Sequence, residues 1–299
     1  MDLASPAAVR RLTEQYQFKF RKSLGQNFLV DANIISKIIA AAQIGSRDTI
    51  VEIGPGLGAM TKAMAIKAGK VLAIEVDKNL LPILKETLQD HDNVEVIHED
   101  ALKVDFDDLV NHNAGYKKGY EYPSGYKIVA NLPYYITTPL IMHVLEKHFK
   151  FSVIIVMVQE EVARRMVARP GSKDCGALSI AINFYSRPEV VCKVSKNVFV
   201  PRPEVGSAVV KMVRRDKPPV NIGDQKIFFA LVRAAFGQRR KTLLNALSGS
   251  SFELSKEQWK SIINEAGLDP SARGETFGIE EFAALARCCE KRSGSSCIS

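Results

Sequence analysis

The sequence predicts an α/β fold: a doubly wound, mostly parallel sheet of seven strands, followed by a small all-helical C-terminal domain. β-branched apolar runs alternate with amphipathic segments from residue 49 to about residue 160, which is typical of parallel βαβ units. The last two β-rich runs, residues 190–194 and 207–213, are joined by a loop too short for a crossover helix. We therefore expect these two runs to form an antiparallel pair at one edge of the sheet, which gives seven strands with an antiparallel edge strand.

Local signals justify the elements in order. Residues 1–30 form a polar N-terminal segment that becomes basic towards its end, and Asp31 then caps a helix whose isoleucines fall on one face. Asp77 is placed to cap a later helix. Strands are predicted at 49–53, 71–76, 94–97, 126–130 and 153–158, helices at 59–68, after Asp77, and at 138–148, 160–169 and 176–186, and a surface loop at 111–125.

A basic, proline-rich stretch at residues 214–222 predicts a domain boundary. We assign residues 1–215 to the first domain and residues 216–299 to the second. The second domain shows only helical patterns, at 227–236, 242–247, 256–266 and 279–289, and its last seven residues are expected to fray.

The bulk composition describes a basic protein of 299 residues with a net charge of +8, from 41 basic and 33 acidic residues. This charge favours a polyanionic partner. No window approaches 18 uninterrupted apolar residues, so we expect no membrane segment. The five cysteines show no C-x-x-C spacing, which predicts a reducing, cytoplasmic location and no metal site.

Three alternate glycines, Gly54, Gly56 and Gly58, follow the strand at 49–53 and open the next helix. A strand, a glycine turn and a helix together let the backbone approach a ligand closely. The G-x-G-x-G spacing differs from the G-x-G-x-x-G of the pyrophosphate fingerprint. Alone, it leaves two readings open: a nucleotide-type cofactor loop or an ordinary βα turn.

Polar residues stand at the carboxyl ends of three further strands, where parallel sheets bind ligands. Glu75 would accept hydrogen bonds from ribose hydroxyls, and Asp100 from the exocyclic amine of an adenine. Each carboxylate alone would also suit a helix cap or a solvated charge. Together with Asn131 they favour an adenosine without a pyrophosphate.

The stretch Asn131, Leu132, Pro133 and Tyr134 is the most specific signal. An amide oxygen and a turn carbonyl that accept the two hydrogens of an adenine amine would aim its lone pair at an electrophile. A second aromatic residue, Phe199, precedes two prolines and would grip the base opposite Tyr134. Phe199 would alternatively fill the core.

Basic residues cluster beyond residue 224. Arg233, Arg239, Arg240 and Lys241 have no acidic residue among them, and the last three stand just before a predicted helix. Such a run is often only a solvated surface. Beside an aromatic pocket it favours contacts with RNA phosphates.

Five motifs together resemble the bacterial small-subunit ribosomal RNA adenine dimethyltransferases (the KsgA/RsmA family), over residues 18 to about 285. They are N-F-L at 27–29, E-I-G-P-G-L-G at 52–58, N-L-P-Y at 131–134, F-V-P-R-P at 199–203 and R-R-K-T-L-L-N at 239–245. One departure stands out: Cys175 occupies a position where the family has tyrosine. Because it lies outside the expected pocket, it affects the substrate loop rather than catalysis.

The resemblance implies a Rossmann-like class I methyltransferase fold, S-adenosyl-L-methionine as methyl donor, and N6,N6-dimethylation of two adjacent adenosines near the 3′ end of 16S rRNA. It also implies an immature small ribosomal subunit as the partner of a monomeric enzyme. The implied donor-binding residues are Asn27, Leu29, Gly54, Gly56, Glu75, Asp100 and Asn131.

Three other functions remain alternatives. The erythromycin-resistance-type 23S rRNA adenine methyltransferases share a similar Asn-x-Pro-aromatic motif, although the F-x-P-x-P loop and the 239–245 run argue against them. A non-catalytic RNA-binding assembly factor with this fold is disfavoured by the intact glycines and strand-end carboxylates. A DNA adenine methyltransferase is less favoured, because no base-reading domain is evident.

Overall fold

The computed structural model describes residues 2–21, 24–113, 125–238 and 240–293. The chain forms two compact units, one of Met1–Ala163 with Arg187–Arg214 and the other of Arg164–Ser186 with Arg215–Ser299. These units divide the chain at residues 163/164, 186/187 and 214/215, the last of which lies next to the boundary predicted at residue 215. The assignment of residues 1–215 and 216–299 to two domains stays a prediction; in the compact units, residues 164–186 group with residues 215–299.

The sheet contains seven strands in the order β4-β3-β2-β5-β6-β9-β7, and a separate two-stranded ladder pairs β1 with β8. The strands are β1 Phe28–Leu29, β2 Thr49–Ile53, β3 Lys70–Glu75, β4 Val94–His98, β5 Tyr126–Asn131, β6 Phe151–Gln159, β7 Ser186–Val194, β8 Phe199–Val200 and β9 Ser207–Arg214. β4, β3, β2, β5 and β6 pair in parallel, and β9 runs antiparallel to β6.

The seven strands and the antiparallel strand confirm the predicted sheet, and the last two strands lie side by side at one edge, but the strand that runs antiparallel to β6 is not the outermost one. β9 lies one position inside the edge, and β7 is the edge strand. Burial explains this order. β9 is apolar and buried over most of its length, as is its neighbour β6, whereas most residues of β7 are partly or fully exposed. A polar strand suits an edge, because charges there discourage pairing with other chains.

The helices of the first unit are α1 Pro6–Gln15, α2 Ala32–Ala42, α3 Ala59–Ala65, α4 Leu81–Thr87, α5 Phe106–Asn113, α6 Thr137–Glu146 and α7 Glu160–Met166, which continues into the second unit. The isoleucines of α2 and the methionines of α3 share one hydrophobic core with β2 and β6. Asp31 caps α2, as its position predicted, by accepting hydrogen bonds from the amides of Asn33 and Ile34.

Helix α1 was missed, because the N-terminal residues appear only polar and basic. Its start nonetheless carries two ordinary signals. Ser5 caps the helix by accepting from the Ala8 amide, and Pro6 occupies its first position. Val9 and Leu12 are buried against the first unit. Only a few residues form the apolar face of this helix, so the composition of the segment did not indicate a helix.

The prediction that Asp77 caps a helix was wrong. Helix α4 begins four residues later, with Leu80 at the N-cap. The Asp77 carboxylate accepts from the amide of Asn79 and from the Gln26 side chain instead. A local turn and a contact distant in sequence therefore use the oxygens that the helix would have needed.

The second unit contains α8 Ala177–Tyr185, α9 Gln225–Gly237, α10 Leu243–Ser248, α11 Lys256–Glu265 and α12 Ile279–Ser293. Phe184 of α8 lies 5.5 Å and 5.4 Å, between ring centroids, from Phe228 and Phe229 of α9. This aromatic packing explains why residues 164–186 belong to the C-terminal unit. Most of the predicted 111–125 loop and residues 294–299 lie outside the described part of the chain.

Candidate functional site

A cavity of about 220 Å³ opens in the first unit at the carboxyl ends of β2, β3, β4 and β5. This is where open parallel sheets bind their ligands. Its walls include every donor-binding residue expected from the sequence, together with the four residues of the N-L-P-Y motif and Phe199. These are Asn27, Leu29, Gly54, Gly56, Glu75, Asp100, Asn131, Leu132, Pro133, Tyr134 and Phe199.

The glycine loop bends tightly beside this cavity. Gly54, Gly56 and Gly58 all have positive φ angles, of 73°, 59° and 89°. A Cβ on Gly56 would lie 3.0 Å from the Phe28 ring, whereas one on Gly54 would meet no atom closer than 3.8 Å. The loop therefore needs glycine for its backbone conformation, and at Gly56 also for close packing.

Glu75 ends β3 and is 5% exposed. Its carboxylate accepts a hydrogen bond of 2.7 Å from the Asp77 amide. Burial raises the pKa of Glu75 to about 7, although backbone N–H groups partly oppose the shift. Asp100 is half-buried beyond β4, and one of its oxygens accepts from the Leu102 amide at 3.0 Å.

A buried carboxyl in the cavity wall was missed by the sequence reading. Glu52 lies in the middle of β2, is fully buried, and neither of its oxygens has a hydrogen-bonding partner. Burial raises the pKa of Glu52 to about 8. The nearby Thr61 hydroxyl lowers this pKa, although its geometry does not meet the criteria for a hydrogen bond, and the charge of Glu75 raises it. An acidic residue inside an otherwise apolar strand was the available signal.

The Asn131 amide is held in one orientation. Its Nδ2 donates to the backbone oxygen of Asn27 at 3.0 Å, and the Asn27 amide in turn donates to the oxygen of Gly25 at 2.9 Å. This arrangement leaves the side-chain oxygen of Asn131 as an acceptor beside the cavity. The neighbouring Pro133 carbonyl already accepts from Ile136 and Thr137, so the Leu132 carbonyl is the acceptor that the turn leaves open.

The two aromatic residues of the predicted base pocket both line the cavity but differ in exposure. Tyr134 is partly exposed, with its hydroxyl 3.4 Å from that of Ser207. Phe199 is 4% exposed, belongs to the core and pairs with Leu29 through the β1–β8 ladder. Phe199 is therefore both a core residue, as the alternative interpretation proposed, and part of the cavity wall.

The sequence reading also missed the polar contacts that Gln26 and Arg21, just before the N-F-L motif, make with Asp77. Gln26 donates to the Asp77 carboxylate at 2.8 Å, and Arg21 approaches the same carboxylate at 3.6 Å. Asp77 itself is 1% exposed.

Tyr135 is a further unexpected lining residue, a large aromatic side chain that is 52% exposed. Neither feature has a spacing that would have revealed it in the sequence.

The predicted RNA-binding residues lie in the second unit. Arg233, Arg240 and Lys241 are exposed, and none forms an ion pair with another residue that the structure describes. Arg239 lies outside the described residues. Arg240 and Lys241 immediately precede Thr242, which caps α10. Cys175 is buried in the same unit and does not line the cavity.

Within residues 2–21, 24–113, 125–238 and 240–293, no group of three or more His, Cys, Asp or Glu side chains is placed to hold a metal ion. In the same ranges no helix has the length and apolar character needed to cross a membrane.

Two solved structures resemble this chain. A dimethyladenosine transferase from Plasmodium falciparum superposes with a TM-score of 0.72 at 24% identity, covering 88% of this chain and 98% of its own. A 23S rRNA methyltransferase, ErmE, gives a TM-score of 0.63 at 25% identity, covering 88% of this chain and 99% of its own. The first likeness supports the fold, and the second is the erythromycin-resistance type weighed above.

Sequence relatives are much closer. The Moorella thermoacetica protein named ribosomal RNA small subunit methyltransferase A is 53% identical over 95% of this chain and 98% of its own length. The Clostridioides difficile protein of the same name is 49% identical over 98% and 99%. The family model described as ribosomal RNA adenine dimethylase matches residues 17–285. By these matches, which confirm the resemblance seen in its motifs, the chain belongs to the ribosomal RNA adenine dimethylase family.

Proposed function

We propose that this protein dimethylates the N6 amines of two adjacent adenosines near the 3′ end of 16S rRNA. S-adenosyl-L-methionine is the methyl donor of the family. The observation that carries the proposal is the oriented Asn131 amide, whose oxygen faces a cavity that also contains the carboxylates of Glu75 and Asp100. The relatives named for the small subunit are about twice as identical to this chain as the 23S enzyme, which favours the small-subunit substrate.

The cavity suits the donor by its chemistry. Glu75 and Asp100 would accept from the adenosine, while the glycines of the loop would leave room for the amino-acid end. Asn27 and Leu29 would close the side formed by the N-F-L motif. Once bound, S-adenosyl-L-methionine supplies a methyl group made electrophilic by a sulfonium.

Asn131 and Leu132 would act on the target adenine. Its exocyclic nitrogen is a poor nucleophile, because its lone pair is delocalised into the ring. Acceptors at the Asn131 side chain and the Leu132 carbonyl would hold both N–H hydrogens, favour a pyramidal nitrogen and stabilise the positive charge that develops there. No general base is needed, since the proton leaves after the nitrogen has become cationic.

Tyr134 and Phe199 would hold the base. Stacking on an aromatic side chain contributes roughly 1–3 kcal/mol per base and does not depend on sequence. Because Phe199 is buried in the core, its ring would serve as a fixed wall. The partly exposed Tyr134 is the face that an incoming adenine reaches first.

The second unit would engage the RNA backbone through Arg233, Arg239, Arg240 and Lys241. Phosphate contacts position a protein on RNA without reading its sequence. Base identity would then be read in the cavity of the first unit. We place the enzyme in the cytoplasm, acting as a monomer on an immature small subunit.

The direct test uses the purified protein, labelled S-adenosyl-L-methionine and undermethylated small subunits. We expect label in 16S rRNA and release of N6,N6-dimethyladenosine on nuclease digestion. Label confined to 23S rRNA would support the erythromycin-resistance type instead. Binding to small subunits with no transfer of label would support the non-catalytic assembly factor.

Asn131→Ala tests the role of the amide. We expect methyl transfer to fall by about 10²–10³-fold, the cost of removing one preorganised polar group from a transition state. Binding of small subunits, measured by co-sedimentation, should stay within about twofold. Equal loss of binding and transfer would mean that Asn131 is structural. Asn183→Ala, in the helical unit, is the matched asparagine control and should leave transfer near the wild-type rate.

A further inference from the structure

Glu52 is a fully buried carboxyl of the cavity wall that the proposed mechanism leaves unused. Its position in β2 places it beneath the glycine loop, two residues before Gly54. Both carboxyl oxygens and the nearby Thr61 hydroxyl are buried without a hydrogen-bonding partner. Buried polar atoms are almost always paired, so three orphaned oxygens beside a cavity indicate that a ligand completes the group.

Within the part of the chain that the structure describes, no cation compensates the Glu52 carboxyl. In the register of the sheet it lies between Ala73 of β3 and Val129 of β5, and α3 contributes Thr61. Glu75, from the end of β3, is the titratable neighbour, and its charge is of the same sign. No Lys, Arg or His among the described residues forms an ion pair with Glu52.

An ionised carboxylate in such a place would lack both solvent and counter-ion. The free protein therefore holds Glu52 as a neutral carboxylic acid near pH 7. A ligand that brings positive charge into the cavity changes this balance, because an adjacent cation stabilises the carboxylate. S-adenosyl-L-methionine carries two cationic groups, the sulfonium and the α-ammonium, against one carboxylate.

We propose that Glu52 is a donor-binding residue that exchanges its proton for the positive charge of S-adenosyl-L-methionine. As the cation enters, the O–H bond of the Glu52 carboxylic acid breaks, the proton passes to solvent, and the resulting carboxylate becomes the counter-ion of the donor. Donor binding and proton release are thus coupled by thermodynamic linkage. This inference rests on the proposed function, because it takes S-adenosyl-L-methionine as the ligand.

Isothermal titration calorimetry of S-adenosyl-L-methionine into the full-length protein at pH 7 tests the coupling. Titrations in phosphate and in Tris, which differ in ionisation enthalpy, give the number of protons released. We expect the wild type to release close to one proton per donor from Glu52, and Glu52→Gln to lose that release. Any release that remains in the variant belongs to Glu75, whose pKa is about 7.

The donor affinity itself should depend on pH. Between pH 6 and pH 7 the wild-type association constant should rise about tenfold, because one proton leaves on binding. Above pH 8, where the free protein has already lost the proton, the rise should level off. Glu52→Gln should bind more weakly at pH 8 and lose most of the pH dependence. Glu14→Gln, at an exposed carboxylate of the first unit that does not line the cavity, is the matched control and should behave as the wild type.

Difference infrared spectroscopy gives a second readout that does not depend on a mutant's affinity. Adding S-adenosyl-L-methionine to the wild type should remove carboxylic-acid C=O absorption from Glu52, and Glu52→Gln should keep only the smaller loss that Glu75 contributes. Equal proton release from the wild type and Glu52→Gln, with the same change in the band in both, would overturn the inference. Absence of any donor binding to the wild type would instead overturn the proposed function, so the two failures are distinguishable.

Discussion

At the scale of single residues, Gly56 needs glycine for two reasons, its positive φ angle and its close contact with a neighbouring side chain. Comparison with Gly171 separates these two effects. Both Gly56 and Gly171 have positive φ angles, but only a Cβ on Gly56 meets a neighbour, the Phe28 ring at 3.0 Å. Phe28 packs against two other phenylalanine rings and cannot easily move. Substitution of either glycine by alanine should therefore cost about 1–2 kcal/mol of backbone strain.

Gly56→Ala should lose more than this strain, because the added methyl group also displaces Phe28 at the cavity wall. We expect its donor affinity, measured by calorimetry, to fall at least tenfold. Gly171→Ala, in the second unit, should lower the urea midpoint and leave donor affinity unchanged. Equal donor affinity in the two variants would show that the close approach at Gly56 is unimportant.

The buried carboxyl of Glu52 also has a consequence for stability. Its pKa is about 8 in the folded protein against 4.5 in its reference state, so the folded state holds a proton that the unfolded state loses. Its contribution to the free energy of unfolding must then fall as pH rises from about 4.5 to 8. The fall amounts to at most about 5 kcal/mol, at 1.36 kcal/mol per pKa unit.

We expect Glu52→Gln to remove this fall. Urea unfolding of the donor-free protein should show the variant gaining stability relative to the wild type between pH 5 and pH 8. Glu99→Gln, at an exposed position, should follow the wild-type curve. A variant that parallels the wild type across this range would mean that Glu52 is ionised in the folded protein.

At the scale of elements, the segment before β1 is tied to the sheet through Asp77. The Arg21 contact involves a side chain that is 48% exposed and should contribute less than about 1 kcal/mol. The Gln26 contact is a hydrogen bond to a buried carboxylate, worth about 1.5–3 kcal/mol. We expect Gln26→Ala to weaken donor binding several-fold and Arg21→Ala to change it by less than twofold, both measured by calorimetry. The opposite order would mean that the ion pair orders this segment.

Much of the fold could be predicted because β2, β3, β5 and β6 are mostly apolar runs that alternate with amphipathic segments. The N-L-P-Y motif likewise predicted Asn131 as a site residue, and Asn131 lines the cavity. The position of β9 between β6 and β7 could not be predicted from the sequence, because strand order depends on which faces are buried together. The hydrogen bond from Gln26 to Asp77 joins residues about fifty positions apart, and no local sequence pattern indicates such a contact.

At the scale of the whole molecule, the net charge of +8 predicts RNA binding that weakens with salt. Each lysine or arginine that contacts a phosphate adds roughly one to the slope of log K against log salt concentration. The double substitution of Arg240 and Lys241 by alanine should reduce that slope by about two, measured with small subunits. Lys260→Ala, an exposed lysine of the same helical unit, should leave it unchanged. An unaltered slope in the double variant would remove these two residues from the RNA contact.

The second compact unit is assembled from two separate stretches of chain, Arg164–Ser186 and Arg215–Ser299. A fragment ending at residue 215 would keep Phe184 but lose Phe228 and Phe229, the rings that bury it. The helical unit is therefore not a cassette that recombination could add to, or remove from, the end of a methyltransferase gene. Exchanging it between relatives requires three simultaneous crossovers, at residues 163/164, 186/187 and 214/215, so we expect the helical unit and the sheet of the first unit to be inherited together.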